Sequence, residues 1–169
     1  MIFNEEQTML QDTLRAFLAD NATVSDLRAL RANPKGAAYN QTLWQQLIEL
    51  GIPGITLSES EGGLGFGYMG LAAVMHEMGR NLVASPIVSS VALASSVIQL
   101  AGSDSQKAYW LPLLASGEVT ATIAVQEGRQ FALHSLATRF DKGELGGHKT
   151  LVMDALESDI TVVIAVTAD

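Results

Sequence analysis

Between Asn81 and Ser103 the chain carries no Asp, Glu, Lys or Arg. A stretch of that length is long enough to cross a bilayer. However, Ser85, Ser89, Ser90, Ser95, Ser96 and Gln99 interrupt it, and its apolar residues are largely Ala and Val. Hydropathy therefore predicts a buried helix with no membrane insertion. Pro86 suits the first turn of such a helix, because its fixed φ matches and its missing N–H is not needed there. A helix apolar on nearly all sides, from Pro86 to about Ala101, belongs in the middle of a bundle.

The segments on either side supply that bundle. Asn4 and Gln7 have the spacing of a capping box, and Met9, Leu10, Leu14, Phe17 and Leu18 recur at helical spacing behind it. A shorter helix is expected over Asn21 to Arg31, anchored by Leu27 and Leu30. Asn33-Pro34-Lys35-Gly36 breaks the chain. The next helix carries Leu43, Trp44, Leu47 and Ile48 and stops at Gly51. Ile52 to Gly67 is glycine-rich and irregular, with Glu59 and Glu61 read as a solvated acidic centre. A fourth helix runs from Tyr68 to about Met78, with Gly79 ending it. Ser103 and Gln106 form a second capping box, opening a helix that Pro112 kinks or splits and Gly117 closes.

After Gly117 the period changes. Glu118 to Gln126 is β-branched and short-sided, and Leu136 to Phe140, His148 to Met153 and Ile160 to Thr167 follow as strand candidates. The expected fold class is α+β: an all-α helical bundle over 1–117, then an incomplete antiparallel β domain over 118–169. A sheet reaching the last residues has little material left to complete itself. The expectation is a fragment, or a sheet finished by another chain.

Charge and composition exclude several chemistries. A formal net charge of −8 argues against a nucleic-acid partner, which needs a basic footprint. It also disfavours docking on anionic lipid. The chain has no Cys, so thiolate nucleophiles, disulfides and Cys-ligated metals are out, consistent with a reducing, cytoplasmic setting. The acidic opening, Met1 to Glu6, is unlike a basic leader. His76, His134 and His148 lie far apart, without metal-ligand spacing, so no metal site is expected. Gly65-Phe66-Gly67-Tyr68-Met69-Gly70 fits G-x-G-x-x-G. But Pro53 and Gly54 spoil the preceding strand, and the uncharged stretch occupies the place of the ribose-binding acid. It reads as a glycine loop entering a helix. Trp44 and Trp110 read as core anchors.

The order of segments resembles the acyl-CoA dehydrogenase family. Asn4-Glu5-Glu6-Gln7 is similar to the family's opening, and Trp44 to Gly51 with Ile52-Pro53-Gly54-Ile55 to its next helix and turn. Ser58 to Gly67 (S-E-S-E-G-G-L-G-F-G) resembles the family's P-E-x-x-G-G-L-G loop, with Ser58 for the proline. Gly102 to Lys107, Leu111-Pro112 and Gly117-Glu118 resemble G-S-x-x-Q-K…L-P…G-E, and Gly147-His148-Lys149 a later G-x-K.

The resemblance implies a helical domain, part of a middle β domain and an absent C-terminal helical domain. It implies acyl-CoA as substrate, FAD as cofactor, and homo- or hetero-oligomers with acyl-CoA dehydrogenase subunits. The reaction would be α,β-dehydrogenation of the thioester, a glutamate taking the α-proton while hydride leaves for the flavin. That base lies in the absent domain, so no catalytic residue is assigned here. Val125, Gln126, Leu151 and Met153 match the flavin-facing positions. The family's A-L-T-E-P becomes Ala124-Val125-Gln126-Glu127, its G-S-D is missing, and its W-I-T becomes Leu151-Val152-Met153. Three roles remain open: a portion of an FAD-dependent enzyme, a degenerate subunit of a mixed assembly, or a non-enzymatic helical interaction module.

Overall fold

A computed structural model describes residues 3–33, 36–129 and 135–167. Pro34 and Lys35 of the expected break, and His134, lie outside the described residues, as do Met1 and Ile2.

Helix α1 spans Glu5–Asn21 and opens on the expected capping box: Asn4 accepts from the Gln7 N–H, and Gln7 reaches back to Asn4. Helix α2, Val24–Ala32, starts later than expected because Thr23 and Asp26 form the cap. Helix α3 covers Gln41–Glu49, with Leu43, Trp44 and Leu47 buried. Helix α4, Gly67–Arg80, runs through Gly79 instead of ending there. Helix α6, Asp104–Ala115, keeps its expected capping box and accommodates Pro112 without splitting.

The uncharged stretch takes an unexpected form. Ile87–Ala94 winds as a π-helix and passes directly into α5, Ser95–Ala101. The wider turn is held where the Ser95 N–H and hydroxyl both reach back to the Ser90 carbonyl. Ser89, Ser90, Ser95 and Ile98 are buried, yet Leu93 and Leu100 are exposed, so the segment is not apolar-packed on all sides.

Two cores result. The first joins Leu14 and Leu18 of α1, Trp44 and Leu47 of α3, and Val74 and Met78 of α4 to Ile87 and Val91 of the π-helix. The second joins Leu57, Ala94 and Ile98 to Leu111 and Leu114 of α6, and continues into the β part through Ala121. Trp44 is buried in the first; Trp110 is half-buried against the second, edge-on to Tyr109.

The β part is mixed, not antiparallel. Strand β1, Ala121–Ala124, pairs in parallel with β4, Ile160–Val163. Strand β2, Arg139–Asp141, pairs antiparallel with β3, Glu144–Gly146, and in parallel with β5, Val166–Thr167. The strand expected over Ile160 to Thr167 thus breaks and changes sheet. The one expected over His148 to Met153 does not form: Leu151 and Asp154 have φ of 52° and 51°, in the left-handed region a strand excludes. The chain over 148–153 instead lies irregularly beside the end of β1.

Candidate functional site

Ser90, carried on the π-helix, accepts the N–H of Ala121 at 3.1 Å, which fixes the start of β1 against the bundle. Beyond Ala124 the chain leaves the sheet through Val125 and Gln126 and meets the returning 149–153 segment. The Thr150 N–H donates to the Gln126 carbonyl at 2.7 Å, and the Thr122 hydroxyl to the Met153 carbonyl at 2.6 Å. The four positions expected to face a flavin, Val125, Gln126, Leu151 and Met153, are therefore brought onto two neighbouring segments from distant parts of the sequence.

A buried ion pair holds that junction. The Lys149 ammonium donates to Glu127 at 2.7 Å and to the Val125 carbonyl at 3.1 Å, and both charged side chains are largely buried. Glu127 also accepts the N–H groups of Ala137 and Thr138. The Lys149 hydrogen bond, with those of Thr138 and Ala137, holds the Glu127 carboxyl down at about 2. Gly147 passes so close to Thr138 that a Cβ there would run into it, which accounts for the glycine of the G-x-K segment. The Thr138 hydroxyl is buried with no partner among the described residues.

The side chains at the four positions supply little to a flavin. The Gln126 amide donates to the Gly128 carbonyl at 2.6 Å, inside its own loop. Leu151 and Met153 carry no hydrogen-bonding side chain, and both are exposed, Leu151 at 84%. The carbonyls of Val125, Gln126 and Met153 already accept bonds from this chain. An isoalloxazine edge is mostly acceptor and takes N–H donors; the side chains of Val125, Leu151 and Met153 have none to give, and that of Gln126 is spent on Gly128, which leaves main-chain N–H groups as the donors at these positions. Two cavities lie nearby without including any of the four. One of about 530 Å3 opens between α5, α6 and β4, lined by Val97, Ile98, Trp110, Ile160 and Val162 among others. Another of about 390 Å3 separates α2 from residues 152–157.

Sequence reasoning missed several polar anchors. Glu61, expected in solvent, bonds the Ser58 N–H and hydroxyl and takes the Gln99 amide of α5 at 3.2 Å. Glu77 is fully buried; its carboxylate takes Arg15 of α1 at 3.0 and 3.3 Å and lies 3.0 Å from the ring of His76. Burial alone would raise its pKa; the hydrogen bonds of Arg15 and His76 and the charges of Arg15 and Arg80 outweigh that and hold it low. His76 itself is exposed. Among the described residues no group of three or more His, Asp or Glu is placed to hold a metal ion. Among the described residues no helix is long and apolar enough to cross a membrane.

A helical bundle whose last helix hands over to a small mixed β layer is the architecture of the front of a flavoprotein dehydrogenase. More narrowly, the chain belongs to the acyl-CoA dehydrogenase family: residues 4–118 match the family described as acyl-CoA dehydrogenase, N-terminal domain. It is 29% identical over 170 residues to (2S)-methylsuccinyl-CoA dehydrogenase of Cereibacter sphaeroides, covering 97% of this chain and 30% of that one. It is 30% identical to mitochondrial isovaleryl-CoA dehydrogenase of Bos taurus, covering 97% of this chain and 40% of the relative. The ChsE4–ChsE5 complex from Mycobacterium tuberculosis is similar in structure, with a TM-score of 0.85 at 26% identity over 98% of this chain and 45% of that one. An acyl-CoA dehydrogenase complexed with FAD from Bacillus anthracis has a TM-score of 0.82 at 25% identity, over 98% and 30%. The chain thus spans between 30% and 45% of the length of these relatives.

Proposed function

We propose that this chain is a degenerate subunit of a mixed acyl-CoA dehydrogenase assembly, one that oxidises the Cα–Cβ bond of an acyl-CoA thioester. Its contribution is a helical wall and the first β layer, placed beside a partner that carries the reacting groups. The observation that carries this reading is the junction at Val125, Gln126, Leu151 and Met153. The family's helical framework is present around it, while the polar side chains expected to face a cofactor are replaced or turned inward. Similarity to a complex of two different chains, ChsE4 and ChsE5, supports the mixed assembly.

No residue of this chain is assigned the role of base, and none is assigned a step of the reaction. Positioning is what remains, and positioning alone contributes substantially to such reactions when a wall fixes the substrate's orientation. The test is co-expression with other acyl-CoA dehydrogenase chains of the same organism, followed by an acyl-CoA oxidation assay with an artificial electron acceptor. The expected result is a stable complex whose activity exceeds that of either chain alone. A chain that forms no complex with such partners, and changes no partner's activity, would remove the reading.

A further inference from the structure

Strand β4 has one paired edge and one open edge. The Ile160 and Ile164 N–H groups donate to the Thr120 and Ala124 carbonyls at 3.2 and 3.1 Å, so every second residue of β4 turns its backbone towards β1. Thr161 and Val163 lie between them and turn their N–H and C=O groups the other way, where no partner is found among the described residues. Thr161 is exposed. Beside that edge lies the cavity of about 530 Å3, lined by Ile160, Thr161 and Val162 of β4, Val97 and Ile98 of α5 and Trp110 of α6; none of its lining residues is charged and none belongs to β1. Native sheets guard an open edge with a charge, a proline or a bulge. Ile160 to Thr167 contains no charged residue, proline or glycine, and all but Ala165 are Ile, Val or Thr, the composition of a strand that pairs readily.

We propose that this edge is a self-association site: a second copy of the chain pairs its own β4 antiparallel against it, about a two-fold axis at Val162, to give one continuous sheet in the order β1-β4-β4-β1. The register follows from which groups are free. Thr161 of one copy faces Val163 of the other and exchanges both N–H···O bonds with it, and the two-fold repeats the exchange. Val162 then meets Val162 at the axis, and Ile160 meets Ile164. These side chains lie on the face where Ile160 and Val162 already pack towards α5 and α6, so apolar groups meet apolar groups beside the cavity. Asp159, the acid next to the strand, falls opposite Ala165, so the net charge of −8 on each copy brings no like charges together along the seam. A second copy is the occupant because the free backbone groups and the uncharged cavity call for an extended strand with apolar side chains at alternate positions, and β4 is itself such a strand. The pair also extends a two-stranded sheet, which is marginal alone, to four strands.

Sedimentation equilibrium of the full chain reads the association. Across about 1 to 300 μM the mass should double, as suits a short and weak interface. Thr161→Pro removes an outward N–H that the chain itself does not use, and should raise the dimer Kd about tenfold while the melting temperature measured at low concentration holds. A single cysteine locates the axis, since the chain has no other. Under mild oxidation Val162→Cys should form an interchain disulfide about tenfold faster than Thr161→Cys, because only the axial pair comes within disulfide reach. A chain that stays monomeric at every concentration overturns the proposal. So does a dimer whose Kd is untouched by Thr161→Pro, or equal cross-linking of the two cysteine variants. If Thr161→Pro does not fold, the cysteine pair decides. The mixed-assembly reading is separate: its failure shows as an absent complex with other dehydrogenase chains and leaves these readouts intact.

Discussion

Two carboxylates show how a single residue is made to hold an ion in a protein interior. Glu127 accepts from Lys149, Ala137 and Thr138, and its pKa falls from 4.5 to about 2. Because the folded value is the lower one, its stabilisation is complete above pH 4.5. It is lost as the pH falls from there towards 2, where the unfolded chain binds a proton that the folded one resists. Stability followed by chemical denaturation across that window should therefore decline with acid, and Glu127→Gln should flatten the decline. Glu77 binds α4 to α1 through Arg15, whose side chain is 44% exposed while that of Glu77 is fully buried. Glu77→Ala should destabilise the chain by about 3 kcal/mol, the lower end for a broken buried pair, because Arg15 regains water. Urea unfolding of the variant checks this.

At the scale of elements, the joints between segments depend on small polar groups and on close backbone approach. Ser90 ties the π-helix to β1 through the Ala121 N–H in a buried setting. Ser90→Ala leaves that N–H unpaired, at an expected cost of about 1–3 kcal/mol measurable as a lowered denaturation midpoint. The loop before α4 packs as tightly. A Cβ on Gly63 would collide with the carbonyl oxygens of Leu57 and Gly54, both fixed backbone. Gly63→Ala should cost about 1–3 kcal/mol, whereas Gly65→Ala meets no neighbour within 4 Å and is strained only by its φ of 71°. Comparing the two variants by thermal unfolding separates collision from backbone strain.

Across the whole molecule, the second core runs from α6 into β1 and reaches Ile160 and Val162, so the helical part is not closed at Gly117. A chain ending at Gly117 should keep slow amide exchange in α1 and α4 and lose it around Leu111 and Leu114. The sequence by itself determined the helices, because their caps and apolar spacing are local: Asn4 with Gln7, Ser103 with Gln106, and Leu14 with Leu18 needed no distant partner. It also placed Val125 and Gln126 in the same candidate site as Leu151 and Met153, through resemblance of short motifs. Only the tertiary structure decided what those positions lie against. Strand pairing, the switch of sheet between β4 and β5, the tie from Ser90 to Ala121 and the Lys149–Glu127 ion pair all arise between residues far apart along the chain. The spacing of residues within one segment carries no information about which distant group will take up its polar atoms.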